Sequence, residues 1–171
     1  MSSGIAIDDE CKDIFADIKK NKIFRYVVYC IKDFKSITVE TIGQRDASYS
    51  SFLIDLMKAG ESECRYGLYD MEYEHQCQGA KEVTNKQKLF LMMWCPDTAK
   101  IKNKMVYSSS FDVLKKSLVG VHKYIQATSS TEASEEEIMQ KLRSTDRTWR
   151  ATMLNKWENL ELQAINTKTK K

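Results

Sequence analysis

The residues best suited to act on another molecule stand in Lys102-Asn103-Lys104-Met105. If this stretch is helical, Lys102 and Met105 fall on one side, in line with Thr98, Ser109 and Lys116. Tyr107, Phe111, Leu114, Leu118 and Val121 fall on the other at i+3/i+4 steps and form the core stripe. A methionine set among lysines on the outer side admits two readings. It is a scattered surface apolar residue of the ordinary kind, or it is an apolar anchor in a basic rim that meets an acidic protein partner. Lys104 projects about 60° from the core stripe on an ideal helix. Either the helix start departs from the ideal, or the long stem of Lys104 reaches round.

Other reactive groups do not assemble into a catalytic pattern. Asp70 with Glu72, and Asp8 with Asp9, have the types for acid–base work but read as solvated acids. Cys64, His75 and Cys77 have ligand types at a spacing that matches no standard zinc site. The phosphate loop, the dinucleotide fingerprint, the zincin helix and the nucleophile elbow are all missing. His75 and His122 stand near no nucleophile motif. The expectation is a binding protein, not an enzyme, with no cofactor and no metal.

Charge points to a surface. The net charge of +3 comes from 27 basic and 24 acidic residues. Residues 1–147 balance, so the excess lies in the tail. Within the balanced part, Lys81 to Lys123 sets nine lysines against Glu82, Asp97 and Asp112, a local basic patch. The segment has no arginine and no interleaved exposed aromatics, so nucleic acid is not the expected partner. Five cysteines, an odd number without a C-x-x-C pair, argue for reduced thiols. A polar N-terminus reads as neither signal nor transit peptide, and no run of 18 apolar residues exists. A monomeric cytosolic protein is the default.

The elements that must position these residues follow from periodicity. Residues 1–8 read as a mobile arm. Helices are predicted from Asp8 to Lys20 and from Ser48 to Ala59, the second ended by Gly60. Strands are predicted over Phe24–Lys32 and Ile37–Ile42, joined by a short turn at Asp33–Ser36, and over Cys64–Glu74. Gln76–Gln87 reads as a polar loop. Lys88–Cys95 reads as a central strand buried on both faces. Pro96 ends it, and Asp97 or Thr98 caps a long helix running to about Leu118, bent where Ser108, Ser109 and Ser110 compete for backbone carbonyls. Tyr124–Thr128 reads as a short edge strand. Ser134 and Glu137 form a capping box for a last helix from Glu135 to about Arg147. This order describes an α/β fold, a mixed sheet with helices on both faces in three layers.

The stretch WCPDTAKIKNKMVYSSSFDVLKKSLVG resembles the long helix of the ADF/cofilin family of actin-binding proteins, in particular invertebrate cofilins. The opening MSSGIAI and the strand CRYGLYDMEYE resemble the same family in the same order. The resemblance covers about residues 1–147, and residues 148–171 form an extension.

The resemblance implies the ADF-homology fold, the gelsolin-like sandwich. It implies binding to monomeric and filamentous actin, with filament severing and depolymerisation. On the motif, the monomer face comprises Ser3, Gly4, Ile5, Lys102, Lys104 and Met105. The filament face comprises Lys86, Lys88, Lys141 and Arg143. Ser3 stands where the family carries its inhibitory phosphoserine, which implies a kinase and a phosphatase as partners. Anionic phosphoinositides are implied as competitors for the basic surface. Alternatives are a relative such as glia maturation factor acting on branched-filament nucleation, or a phosphoinositide-binding adaptor. Two departures stand out. The basic nuclear-import run of vertebrate members is reduced to KKNKIFR, which puts nuclear entry in doubt beside the cytoplasm and actin cytoskeleton. His122 precedes Lys123 where the reverse order is expected, which leaves pH sensitivity open.

In the extension, Trp149, Met153, Trp157, Leu160 and Ala164 share one helical face. It is either a frayed end or an amphipathic addition to the last helix that docks on the domain, a partner or an anionic surface.

Overall fold

The structure is a computed structural model that describes residues 4–76 and 81–146, together with Glu158. Ser3, Cys77 and the stripe of Trp149, Met153, Trp157, Leu160 and Ala164 lie outside the described residues. Ten elements follow one another. They are β1 (Ala6–Ile7), α1 (Asp9–Lys19), β2 (Phe24–Lys32), β3 (Ser36–Gln44), α2 (Tyr49–Met57), β4 (Arg65–Gln76), β5 (Val83–Trp94), α3 (Ile101–Ser117), β6 (Lys123–Ala127) and α4 (Glu135–Arg143). The strands make one six-stranded sheet in the order β1-β3-β2-β4-β5-β6. The outer pairs β1–β3 and β5–β6 are parallel, and the inner pairs are antiparallel.

Alternation along the strands fills a core on each face. On β5, Leu89, Leu91 and Met93 join Tyr66 and Leu68 of β4 beneath α1 and α3. Phe90, Met92 and Trp94 point the other way with Tyr69, Met71 and Tyr73, beneath α2 and α4. Each fully buried Leu, Phe or Met contributes about 1.5–3 kcal/mol, so this central strand, apolar on both faces, ties the two cores together. The second core is a cluster of rings, with Tyr69 and Phe52 centroids 5.2 Å apart and Tyr26 and Phe52 in an edge-on pair at 5.3 Å. At Gly67 a β-carbon would come within 2.5 Å of the Phe52 ring, which is why α2 lies so close to β4.

Several expectations need correcting. The arm is not free up to residue 8. Ala6 N donates to Lys35 O at 3.0 Å and Asp8 N to Ile37 O at 3.1 Å, because apolar Ile5 and Ile7 carry the chain onto the sheet edge. β5 begins at Val83, five residues earlier than predicted, since its polar first half pairs with β4 as far as Gln76–Val83. Long hairpin arms do not need apolar residues where they project past the core. Asp70 is not solvated but fully buried. Its Oδ2 accepts from Lys22 Nζ and Arg45 Nη1, each at 2.8 Å. Lys22 comes from the basic KKNKIFR run, whose Lys19 and Arg25 also bond within the fold, so three of its cations are committed.

The long helix runs unbroken through Ser108–Ser110, with Ser109 Oγ donating to Val106 O at 3.1 Å. It starts at Ile101 after Lys100, whose side chain makes no capping bond, and not after Asp97 or Thr98. Thr98 Oγ1 instead donates to Glu61 O at 2.7 Å, and Ala99 N donates to Pro96 O at 2.9 Å, closing a turn before the helix. The cap predicted at Ser134 is present, and α2 has a cap at Ser48 that the sequence reading did not name. Ser48 accepts from Ser51 N, and Ser134 accepts from Glu137 N. The last helix ends at Arg143 rather than near Arg147, because Ser144 and Thr145 form a turn, after which the Thr145 and Asp146 side chains bond with Lys88 of β5.

The β2–β3 turn has an unusual conformation. Asp33 (φ 53°) and Phe34 (φ 54°) are both left-handed, and Lys35 N donates to Lys32 O at 2.9 Å. Three residues, Asp33, Phe34 and Lys35, separate the paired Lys32 and Ser36, and the first two take a left-handed conformation that normally goes to Gly, Asn or Asp. A residue with a β-carbon pays roughly 1–2 kcal/mol there.

Candidate functional site

The outer face of α3 is a basic rod with apolar points. Its buried side is Tyr107, Phe111 and Leu114, followed by Leu118. That leaves Ile101 (76% exposed), Lys102, Met105 (67% exposed), Ser109 and Lys116 outward, as the helical spacing predicts. Lys104 is half-buried, and its Nζ donates to Asp97 O at 2.8 Å. Its stem therefore folds back over the start of the helix. The β2–β3 turn lies against the same end of α3, with Lys102 Nζ 4.5 Å from the centre of the Phe34 ring. Ile5 is only 7% exposed and packs into the core, so it anchors the arm rather than offering a side chain to a partner. Gly4 beside it is left-handed, φ 68°.

A second group of basic residues converges where β5 meets α4, but it is largely paired. Lys88 Nζ donates to Leu142 O at 3.2 Å, Thr145 Oγ1 at 2.6 Å and Asp146 Oδ1 at 2.7 Å. An ammonium has three donors, and all three are used. Two of the acceptors belong to the end of α4 and its turn, so Lys88 closes that helix C-terminus. Lys86 Nζ donates to the same Asp146 Oδ1 at 2.9 Å, and Tyr73 OH donates to Oδ2 at 3.0 Å. Burial pushes the Asp146 carboxyl up, but the bonds from Lys88, Lys86 and Tyr73 outweigh it and bring it down to about 2. Arg143 lies 5.9 Å over the Tyr73 ring and is exposed, while Lys141 is half-buried. Asp146 was missed in the sequence because it follows the last periodic residue and has no pattern of its own.

His122 joins α3 to the sheet. Its Nδ1 accepts from Leu89 N at 3.0 Å, and its own N donates to Leu89 O at 2.9 Å. Burial and the nearby charge of Lys88 hold the imidazole below its ordinary value of 6.5. Among the described residues, no three His, Cys, Asp or Glu side chains are grouped to hold a metal ion. No helix of the described residues is long and apolar enough to cross a membrane.

The family model for cofilin/tropomyosin-type actin-binding proteins matches residues 4–143. The chain belongs to the ADF/cofilin family. A cofilin of Mycosarcoma maydis is 39% identical over 146 residues, 85% of this chain and 99% of that relative. The crystal structure of Streptomyces griseoflavus cofilin superposes with a TM-score of 0.71 at 34% identity, covering 81% of this chain and 97% of that one. The solution structure of the ADF/cofilin of Trypanosoma brucei gives 0.67 at 34% identity, covering 85% and 100%. The mixed six-stranded sheet between two helical layers is thus the ADF-homology fold, and the chain is an actin-binding protein of this cofilin family.

Within the family frame, the exposed α3 face brings together Lys102 and Met105, with Lys104 folded beside them. Lys86, Lys88 and Arg143 also converge, around Tyr73, but two of these three cations already have a carboxylate.

Proposed function

We propose that this cofilin-family protein binds actin monomers and filament sides, favours the ADP form, and promotes severing and subunit loss. It acts as a binding protein rather than an enzyme, in the cytoplasm at the actin cytoskeleton. The domain that does this spans residues 1–147, with 148–171 as an extension. Two patches on one rigid domain, bound together only in a changed filament geometry, shift the filament toward that geometry. Phosphate on Ser3 adds roughly −1.5 to −2 charge at pH 7 to an arm that, by the family resemblance, meets acidic actin, and so weakens binding. Anionic phosphoinositides compete for the same lysines. The kinase and phosphatase of Ser3 are the corresponding regulatory partners.

The observation that carries this reading is the exposed pair Lys102 and Met105 on α3 of a cofilin-family domain. It supports the monomer face more strongly than the filament face, whose Lys86 and Lys88 are held by Asp146. The test is filament co-sedimentation together with monomer binding. Lys102→Ala with Lys104→Ala should shift stability by no more than about 1 kcal/mol, since such lysines contribute little, yet weaken monomer binding. Unchanged affinity for monomer and filament would remove these residues from the actin face.

A further inference from the structure

We propose that Phe34, at the tip of the β2–β3 turn, is a direct contact for monomeric actin and extends the binding face from α3 onto this hairpin. The inference rests on the actin-binding reading above and adds an element that the sequence did not assign to the face.

Three observations carry it. The first is conformation. Phe34 holds φ 54° in a turn where glycine is the unstrained choice, so the ring is kept at a cost to the fold. The second is exposure. The ring is 48% exposed, so burial in this domain does not account for that cost. The third is continuity. Lys102 Nζ sits 4.5 Å from the ring centre, which joins the turn to the start of α3, where Ile101 and Met105 are exposed. A ring under the ammonium also fixes the direction of a long, flexible side chain before it meets a partner, which lowers the ordering cost of binding.

The surroundings set the kind of partner. Lys32 and Lys35 flank the turn, and Lys100 precedes α3; all three are exposed. The patch is therefore apolar at its points and cationic around them, with Asp33 the one acid in the turn sequence 32–35. An acidic protein surface with an apolar groove is its complement, with aromatic and basic anchors meeting it at the centre. That is the chemistry assigned to the neighbouring Lys102 and Met105, so monomeric actin is the occupant.

The test uses the full chain, ADP-actin monomers and two variants. Phe34→Gly relieves the left-handed strain and removes the ring, while Phe34→Tyr keeps a ring. Phe34→Gly should unfold at the same or a higher denaturant concentration than the wild type. It should nonetheless bind monomers at least about five-fold more weakly, the threshold of a significant contact. Phe34→Tyr should stay within about two-fold of the wild type, because the ring and its contact area are retained. Wild-type affinity in Phe34→Gly would overturn the proposal, as would a lower unfolding midpoint, which would make Phe34 a structural residue. A loss seen on phosphoinositide vesicles but not on actin would also overturn it. Failure of the wild type itself to bind actin would instead remove the functional reading beneath it.

Discussion

Asp146 shows how much one side chain can change the meaning of its neighbours. From the sequence, Lys86 and Lys88 are two free cations at a strand entrance. In the fold both donate to one carboxylate oxygen that is nearly buried, and Lys88 also closes the end of α4. Removing one partner of such a group leaves the others desolvated and unpaired. Asp146→Asn should therefore destabilise the domain by about 2 kcal/mol, read as a lower urea midpoint with unchanged slope. An unchanged midpoint would mean that the lysines find water as readily as they found the carboxylate. The αL conformation of Phe34 belongs to the same scale, where a local cost is visible only against its surroundings.

Among the elements, β6 depends on a protonation state. It is a short parallel edge strand, and His122 at its start bonds in both directions with Leu89 of β5. The Nδ1 bond requires a neutral ring nitrogen, since a protonated imidazole has no acceptor. Its folded value lies below 6.5, held there by burial and by Lys88, with Lys22 acting in the same sense and Asp70 opposing. The sign follows from linkage. Below 6.5 the unfolded chain takes up a proton that the folded chain refuses, so stability is full above 6.5 and declines as pH falls toward the folded value. The wild type should thus lose more stability between pH 7.5 and 5.5 than His122→Gln, each measured by denaturant midpoint. Equal losses in both proteins would show that the imidazole does not hold β6.

For the whole molecule, the two cores on one sheet form a unit within the 4–143 span that the family model matches. The described residues of both candidate faces lie within that span. Deleting residues 148–171 should accordingly leave monomer and filament binding largely intact. Tryptophan fluorescence of the full chain, alone and with anionic vesicles, reads the extension directly. Emission of Trp149 and Trp157 as solvated indoles in both conditions would make it a frayed end, and a blue shift would make it an amphipathic segment that docks.

The sequence by itself determined the elements whose apolar residues repeat with a clear period. The core stripe of α3, the double-sided apolar run of β5 and the outward position of Lys102 and Met105 all follow from spacing, because 3.6- and 2-residue periods dictate which side chains share a face. It also located the capping Ser134, since its hydroxyl acts on an amide three residues away. Only the tertiary structure decided what depends on partners distant along the chain. The polar first half of β5 becomes strand because β4 offers it a ladder, and Ile5 becomes core because the sheet edge accepts β1. Asp70 is buried because Lys22 and Arg45, 48 and 25 residues away, arrive to pair with it. Lys86 and Lys88 are occupied because Asp146 returns to β5 across 60 and 58 residues. Local periodicity has no term for such meetings, because charge pairing and ring contact depend on distance in space rather than on separation in sequence.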